Sequence, residues 1–160
     1  YENDGRVEIV KSLVEAGIDI SLYGPEWNNV IMKDDLLQKY YPVKYLSGDE
    51  YAKVLCGSKI ALALYSTLNN DVYTRKCFEI PATATMMIAK RSKEMLELFN
   101  ENEECVFFND TKELIEKIRF YLKENELRQE IANNGYNRVI NSGYDVLGRA
   151  RYILDSYKTP

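Results

Sequence analysis

The segment 66–79 holds the residues whose types and spacing best suit the binding of an anion. The sequence pattern predicts a helix over 71–82 with Asn70 as its N-cap. The free amides in the first turn of such a helix favour a phosphate group. Arg75 and Lys76 follow closely and would add positive charge beside it. We therefore expect the start of this helix to hold a phosphate.

A plainer interpretation exists for each neighbouring side chain. Glu79 lies four residues after Arg75, so the two could simply form a surface ion pair worth about 0.2–0.5 kcal/mol. Asp71 could be no more than a favourable negative charge at a helix start. Tyr65 could stack on a nucleotide base, although a tyrosine at a strand end more often packs in the core. The residue types alone leave these alternatives open.

The composition excludes several classes of active site. The sequence contains no histidine and only three cysteines. A zinc site therefore has almost no ligands to draw on, and a Ser-His-Asp or Cys-His nucleophile is excluded. No Gly-x-Gly-x-x-Gly or Walker pattern is present, which disfavours a dinucleotide oxidoreductase or a phosphoryl-transfer enzyme.

Charge and hydropathy limit the partners and the cellular location. The net charge of −4 argues against a broad nucleic-acid surface, which needs a basic face. No apolar run approaches ~18 residues, so we expect no transmembrane segment. The three cysteines, Cys56, Cys77 and Cys105, are far apart and odd in number. They fit reduced thiols in a cytoplasmic protein better than a disulfide framework.

The elements that must position the segment 66–79 alternate between strands and helices. The apolar run 59–65 predicts a strand buried on both faces, which is typical of a parallel sheet covered by helices. Together with it, the sequence pattern predicts strands at 18–23, 42–46, 85–89 and 105–108, and helices at 7–16, 33–40, 49–56, 71–82, 114–122, 126–140 and 145–157. This alternation predicts one α/β domain over 1–160, a Rossmann-like, doubly wound parallel sheet with helices on both faces. We expect its first strand to lie upstream of Tyr1.

Sheets of this kind bind ligands at the carboxyl ends of their strands, and three loops qualify: 24–27, 66–71 and 89–92. In the first loop, Trp27 either lines a pocket or covers the edge of the sheet. In the third, Lys90 and Arg91 are more typical of a solvated loop than of a phosphate clamp. The second loop is the most informative, because it joins a buried strand to the helix with the basic residues.

The run 75–88 reads Arg-Lys-Cys-Phe-Glu-Ile-Pro-Ala-Thr-Ala-Thr-Met-Met-Ile. It resembles the segment of retaining GT-B glycosyltransferases that carries their nucleotide-ribose glutamate. More narrowly, it is similar to the group 1 family that includes the spore-maturation-type proteins, in which a basic residue precedes Phe-Glu and then Pro-Ala. The downstream segment 96–138 follows the family order, and the segment 6–24 is similar to the family's first helix and second strand.

The resemblance implies that several residues bind a nucleotide sugar. Glu79 would accept hydrogen bonds from the ribose hydroxyls, a task that suits an acceptor-only carboxylate. Asp71 stands where the wider family has a second glutamate that contacts the donor sugar. Either Arg75 or Lys76 would touch the diphosphate. Ala84 replaces the glycine that is usual before the next strand. The other residues expected around the donor are Tyr65, Ser66, Asn70, Leu46 and Ser47, the last two facing the base through backbone groups.

The resemblance therefore implies the donor-binding C-terminal half of a two-domain glycosyltransferase. It would bind a nucleoside-diphosphate sugar and need no metal or other cofactor, because basic residues and helix amides would stabilise the departing diphosphate. The acceptor site and any general base would come from an N-terminal domain, so we expect the 160 residues alone to turn over little. Two alternatives remain: a sugar-nucleotide epimerase half-domain, which the absence of histidine disfavours, and a non-catalytic scaffold with a degenerate glycosyltransferase fold.

Overall fold

A computed structural model describes residues 4–66 and 68–158, which fold into helices around a parallel sheet. The strands are β1 (Ile60–Ala63), β2 (Met86–Lys90) and β3 (Val106–Phe108). The helices are α1 (Arg6–Glu15), α2 (Asn28–Ile31), α3 (Gly48–Gly57), α4 (Lys76–Ala82), α5 (Lys93–Leu98), α6 (Thr111–Lys123), α7 (Asn125–Asn141) and α8 (Val146–Lys158). Short 3-10 helices are found at Pro25–Trp27 and Gln38–Tyr40.

In the described part of the chain, the sheet has three parallel strands in the order β1-β2-β3. Ala89 of the central strand pairs with Ala63 on one side and Phe107 on the other. Every residue of β2 except Lys90 is buried. Such a continuous apolar strand needs cover on both faces of the sheet.

That cover comes from two hydrophobic clusters, one on each face. Because successive side chains of a strand point to opposite faces, Met87 and Ala89 enter the first cluster, whereas Met86 and Ile88 enter the second. The first cluster also includes residues from α3, α4, α5 and α7, namely Leu55, Cys77, Ile80, Met95 and Val139. The second includes residues from α1, α6 and α7, namely Leu13, Leu114, Ile118, Tyr121, Ile131 and Ala132. The predicted α/β sheet with helices on both faces is confirmed.

Two strands predicted near the N-terminus, at 18–23 and 42–46, are wrong. Both segments lie outside the sheet, and the amide of Gly24 donates a hydrogen bond to the Lys44 carbonyl at 2.9 Å to hold them together. Nearby apolar side chains pack on α1 in a third cluster, made of Val10, Val14, Trp27, Ile31, Leu37 and Val43. The strand at 18–23 is predicted from alternating apolar and polar residues, and an extended segment satisfies such a pattern without a pairing partner.

The helix predicted at 33–40 is also wrong. The Asp34 carboxylate accepts hydrogen bonds from the amides of Leu36 and Leu37, at 3.1 and 3.2 Å, and so folds the chain into a turn. The Lys11 ammonium of α1 donates to the same carboxylate at 2.7 Å. A short acidic side chain that bonds to nearby backbone amides competes with helix formation.

The helix predicted over 71–82 is shorter than expected, because α4 begins only at Lys76. Its N-cap is Arg75, whose side chain makes no capping hydrogen bond, so the prediction of Asn70 as N-cap is wrong. Asn70 instead lies in a turn with a positive φ of 53°. The turn closes back on Ser66, whose carbonyl accepts from the Asp71 amide at 3.0 Å. Asp71 therefore does not lie in the first turn of the helix.

The C-terminal half follows its predicted elements closely. Asp110 caps α6 by accepting from the Glu113 amide at 2.9 Å, and α7 and α8 begin and end within one residue of the predicted bounds. The sequence pattern missed α5, which Ser92 caps by accepting from the Met95 amide at 3.1 Å. No helix in the described ranges is long and apolar enough to cross a bilayer.

Candidate functional site

A cleft of about 910 Å³ lies at the carboxyl end of β1. It is bounded by the start of α1, two loops near the N-terminus, α3 and the start of α4. Its lining residues are Arg6, Tyr23, Gly24, Tyr45, Leu46, Ser47, Gly48, Tyr51, Leu64, Ser66, Asp71, Thr74, Arg75, Lys76 and Glu79. The position matches the general rule that parallel sheets bind ligands beyond the carboxyl ends of their strands.

Glu79 presents a partly exposed carboxylate to this cleft from the first turns of α4. The Arg75 guanidinium Nε lies 2.7 Å from Glu79 Oε1. The Tyr51 hydroxyl of α3 donates a hydrogen bond to Glu79 Oε2 at 3.3 Å. The ion pair between Arg75 and Glu79 that their spacing predicts is therefore present. Because both residues line the cleft, the pair is compatible with a binding role for Glu79.

Three cationic residues line the same cleft: Arg75, Lys76 and Arg6. The pKa of Lys76 lies below its ordinary value, mainly because its ammonium is partly buried in the cleft and also because of the positive charge of Arg6. The Arg6 guanidinium donates from Nε and Nη2 to the Asp4 carboxylate, both at 2.7 Å, which holds it at the start of α1. An anion in this cleft would favour the charged form of Lys76.

Arg6 is not among the residues that the sequence predicts around the donor. Arg6 and Lys76 are far apart in the chain, and only the packing of α1 and α4 around the sheet brings both to one cleft. The only available signal was its place in the segment that resembles the family's first helix. Tyr51 is also absent from the predicted site residues, because a tyrosine within a helix has no local sequence feature that indicates function.

Asp71 and Ser66 line the cleft through the loop that follows β1. Ser66 is buried, and its hydroxyl accepts from the Asn69 amide at 3.1 Å, which shapes the turn. Thr74, also in the lining, has the one buried side-chain oxygen in the described ranges that lacks a hydrogen-bond partner. A buried hydroxyl of this kind usually has a protein, water or ligand partner.

Leu46 and Ser47 line the cleft as well, immediately before α3. Tyr45 beside them is 68% exposed, so its ring is open to solvent at the mouth of the cleft. The structure thus brings together seven of the nine residues predicted around the donor: Glu79, Arg75, Lys76, Asp71, Ser66, Leu46 and Ser47.

The other two, Tyr65 and Asn70, are not part of the lining. Tyr65 is buried in the first hydrophobic cluster, and its hydroxyl donates to the Lys90 carbonyl. Burial raises the pKa of Tyr65. Asn70 is exposed at the tip of its turn.

Arg91 belongs to a network on the other side of β2. Its guanidinium donates from Nη1 to Glu101 Oε2 at 2.7 Å, and its backbone amide donates to the Phe108 carbonyl at 2.9 Å. Lys117 reaches Glu101 in turn, with 3.6 Å between nitrogen and oxygen. These contacts give Arg91 a structural role in a partly buried ion-pair network, which differs from the solvated loop that its sequence predicted. No group of three or more side chains of the metal-binding types comes together in the described ranges.

Comparison with known proteins identifies the family. The family model described as "Glycosyl transferase-like" matches residues 6–155. This chain belongs to that family. No curated protein matches the chain by sequence. The match covers every residue of the cleft lining.

Two solved structures share the fold of this glycosyl transferase-like domain. A glycosyltransferase from Rickettsia africae is 18% identical with a TM-score of 0.70; the alignment covers 99% of this chain and 45% of that one. The C-terminal domain of a glycosyl transferase group 1 family protein from Francisella tularensis is 16% identical with a TM-score of 0.63, over 91% of this chain and 82% of that one. The chain thus spans less than half the length of the Rickettsia enzyme. The predicted GT-B glycosyltransferase domain is confirmed at the level of family and fold.

Proposed function

We propose that this chain is the donor-binding half of a glycosyltransferase that takes a sugar from a nucleoside diphosphate. The observation that carries the proposal is one cleft in which the Glu79 carboxylate pairs with Arg75 and which Lys76 and Arg6 also line. A nucleoside diphosphate offers the complementary chemistry, namely two ribose hydroxyls that donate hydrogen bonds and a diphosphate that attracts cations.

The cations favour a diphosphate over a neutral ligand. The pKa of Lys76 lies below its ordinary value, because desolvation and the positive charge of Arg6 both disfavour its charged form. A phosphate between Lys76 and Arg6 would reverse this effect. The same charges would stabilise the diphosphate as it leaves the sugar, so we propose that transfer proceeds without a metal.

Glu79 suits the ribose because it accepts two hydrogen bonds at once. Its two oxygens have different partners, Arg75 on Oε1 and Tyr51 on Oε2. Each carboxylate oxygen has two lone pairs, so hydroxyls of a ligand can bind without removing every protein partner. Asp71 lies in the loop that lines the same cleft and is our candidate for contact with the donor sugar.

The size of the cleft is consistent with such a ligand. At about 910 Å³, it lies within the range of roughly 300–1,000 Å³ that is common for small-molecule and cofactor sites. It is also open, which leaves room for a second domain to close over the donor. We propose that this second domain supplies the acceptor site and the general base. We further propose a cytoplasmic location, since Cys56, Cys77 and Cys105 are free thiols.

Calorimetric titration of the purified chain with uridine, guanosine, adenosine and cytidine diphosphates tests the proposal. We expect at least one to bind, and Glu79→Gln to weaken that binding about 10- to 100-fold, because hydrogen bonds to a charged group contribute roughly 1.5–3 kcal/mol. Glu97→Gln is the matched control, since Glu97 faces Lys93 in a similar i,i+4 pair on α5, outside the cleft.

Absence of binding by all four diphosphates would contradict the proposal and favour the non-catalytic scaffold. If Glu79→Gln weakens binding of the diphosphate no more than the control Glu97→Gln does, the binding site lies outside this cleft. We also expect no robust sugar transfer by the chain alone, and efficient transfer would show that a second domain is not needed.

A further inference from the structure

The two oxygens of Glu79 are held in unequal ways. Arg75, the partner of Oε1, is the N-cap residue of α4, the helix that carries Glu79. The Arg75 side chain is 88% exposed. An exposed pair of this kind is worth only a few tenths of a kcal/mol and is readily exchanged. Tyr51, the partner of Oε2, comes from a different helix, α3.

Tyr51 is anchored much better than Arg75. Its ring is half-buried and packs against the first hydrophobic cluster, which includes Leu55 of α3 and Cys77 of α4. A tyrosine has only two side-chain torsions, so a packed ring defines the position of its hydroxyl. The packed ring therefore fixes the Tyr51 hydroxyl relative to α3, 3.3 Å from Glu79 Oε2.

Tyr51 also remains a hydrogen-bond donor under ordinary conditions. Burial, together with the negative charge of Glu79, raises the pKa of Tyr51 to about 12. At neutral pH the phenol is protonated, and its single proton points to the carboxylate. Oε2 then keeps a free lone pair, while Oε1 becomes available whenever Arg75 moves away.

We propose that Tyr51 is a positioning residue that orients the Glu79 carboxylate for a vicinal diol and so makes the cleft prefer a ribonucleotide to a 2′-deoxyribonucleotide. The inference rests on the proposed function and adds a residue that determines its specificity. Tyr51 acts through Glu79: it holds Oε2, and the ligand hydroxyls replace Arg75 on Oε1. Arg75 is then free to turn toward the diphosphate.

The test compares ribonucleoside diphosphates with their 2′-deoxy counterparts by calorimetry, using wild type and Tyr51→Phe. Phenylalanine keeps the packed ring and removes only the hydroxyl, and thermal unfolding verifies that the variant folds. We expect wild type to prefer the ribonucleotide and Tyr51→Phe to lose about 3- to 10-fold of that preference, with a smaller loss of affinity for the deoxynucleotide, which keeps only its 3′ hydroxyl. Tyr136→Phe is the control, since Tyr136 lies on α7 outside the cleft.

The outcomes separate this inference from the proposed function. If wild type prefers the ribonucleotide and Tyr51→Phe keeps the whole preference, the role of Tyr51 is overturned while donor binding stands. Equal weakening of both nucleotides by Tyr51→Phe would also overturn it, because a merely structural tyrosine would act in that way. If no diphosphate binds to wild type, the proposed function fails and this inference fails with it.

Discussion

Gly135 of α7 lies directly against the backbone of Glu104. A Cβ atom at position 135 would be 2.5 Å from the Glu104 carbonyl oxygen and 3.3 Å from Cβ of Pro81 in α4. Backbone atoms cannot turn aside as a flexible side chain can, so only glycine fits at this crossing. Because α4 packs on α7, the contact also supports the helix that carries Glu79.

We expect Gly135→Ala to lower the free energy of unfolding by about 1–3 kcal/mol, which is typical of overpacking. The loss occurs even though alanine is the better helix former by ~1 kcal/mol. Urea unfolding followed by circular dichroism measures it. Gly57→Ala is the control, since Gly57 ends α3 with nothing near its Cβ position; a similar loss in both variants would contradict the steric explanation.

Ala84 has a backbone conformation that favours glycine. Its φ is 52°, and its amide donates to the Pro81 carbonyl at 2.9 Å just after α4. The left-handed region costs a residue with a Cβ atom roughly 1–2 kcal/mol. We expect Ala84→Gly to stabilise the chain by about 0.5–1 kcal/mol, after the larger entropy loss of glycine is subtracted.

The control for Ala84→Gly is Ala82→Gly, two residues earlier at the last residue of α4. There glycine is expected to destabilise the chain by about 0.5–1 kcal/mol. Thermal and urea unfolding of both variants should therefore shift in opposite directions. A loss of stability in Ala84→Gly would show that the strain at Ala84 is not relieved by removal of its Cβ atom.

The lowered pKa of Glu113 predicts how the free energy of unfolding depends on pH. Its pKa is lowered to about 2 because the Lys117 ammonium and the backbone amide of Asn109 both donate to the carboxylate. A group whose pKa is lower in the folded state stabilises the fold above its unfolded pKa, and this stabilisation is lost as the pH falls toward the folded pKa. The window lies between the ordinary value of 4.5 and about 2.

We expect Glu113→Gln to be less stable than wild type at pH 6, and the difference to shrink as the pH falls from 4.5 to about 2. Denaturant titrations across this range measure it. Glu116→Gln, an exposed position of the same helix, is the control and should show no such convergence. A constant difference between wild type and Glu113→Gln at every pH would contradict the assignment.

Lys76 should contribute to binding through its charge. Lys76→Gln is expected to weaken the binding of a nucleoside diphosphate by about 10-fold, as for a charged hydrogen bond, and to leave binding of the parent nucleoside unchanged. Lys112→Gln, on an exposed position of α6, is the control. Calorimetry with both ligands would reveal equal weakening if Lys76 acts only on the fold.

The lowered pKa of Lys76 adds a pH dependence to this prediction. In the protein without ligand, the pKa of the Lys76 ammonium lies below the ordinary value of 10.5. The affinity of wild type for the diphosphate should therefore fall as the pH rises toward 10.5, because the ammonium loses its charge. In Lys76→Gln the fall should be weaker. An identical pH profile in the two proteins would exclude Lys76 as the group responsible.

The C-terminal half shows where local patterns are sufficient. The apolar run 85–89 predicted β2, and the periodic residues of α6 and α7 predicted those helices within a few residues. Each of these elements has one or two buried faces and a clear start or end, so its pattern follows from its own burial. The segments 18–23 and 42–46, which the sequence predicts to be strands, lie outside the sheet and have no pairing partner there.

The sequence by itself determined the α/β class, the exclusion of histidine chemistry and the segment that carries Glu79, because these depend on residue types and on periodicity along the chain. Only the tertiary structure decided that α4 begins at Lys76, that Tyr51 donates to Glu79 and that Arg6 shares a cleft with Lys76. The physical reason is that a cleft is formed by side chains from several elements, and their distances depend on how those elements pack. No spacing along the chain encodes such a distance.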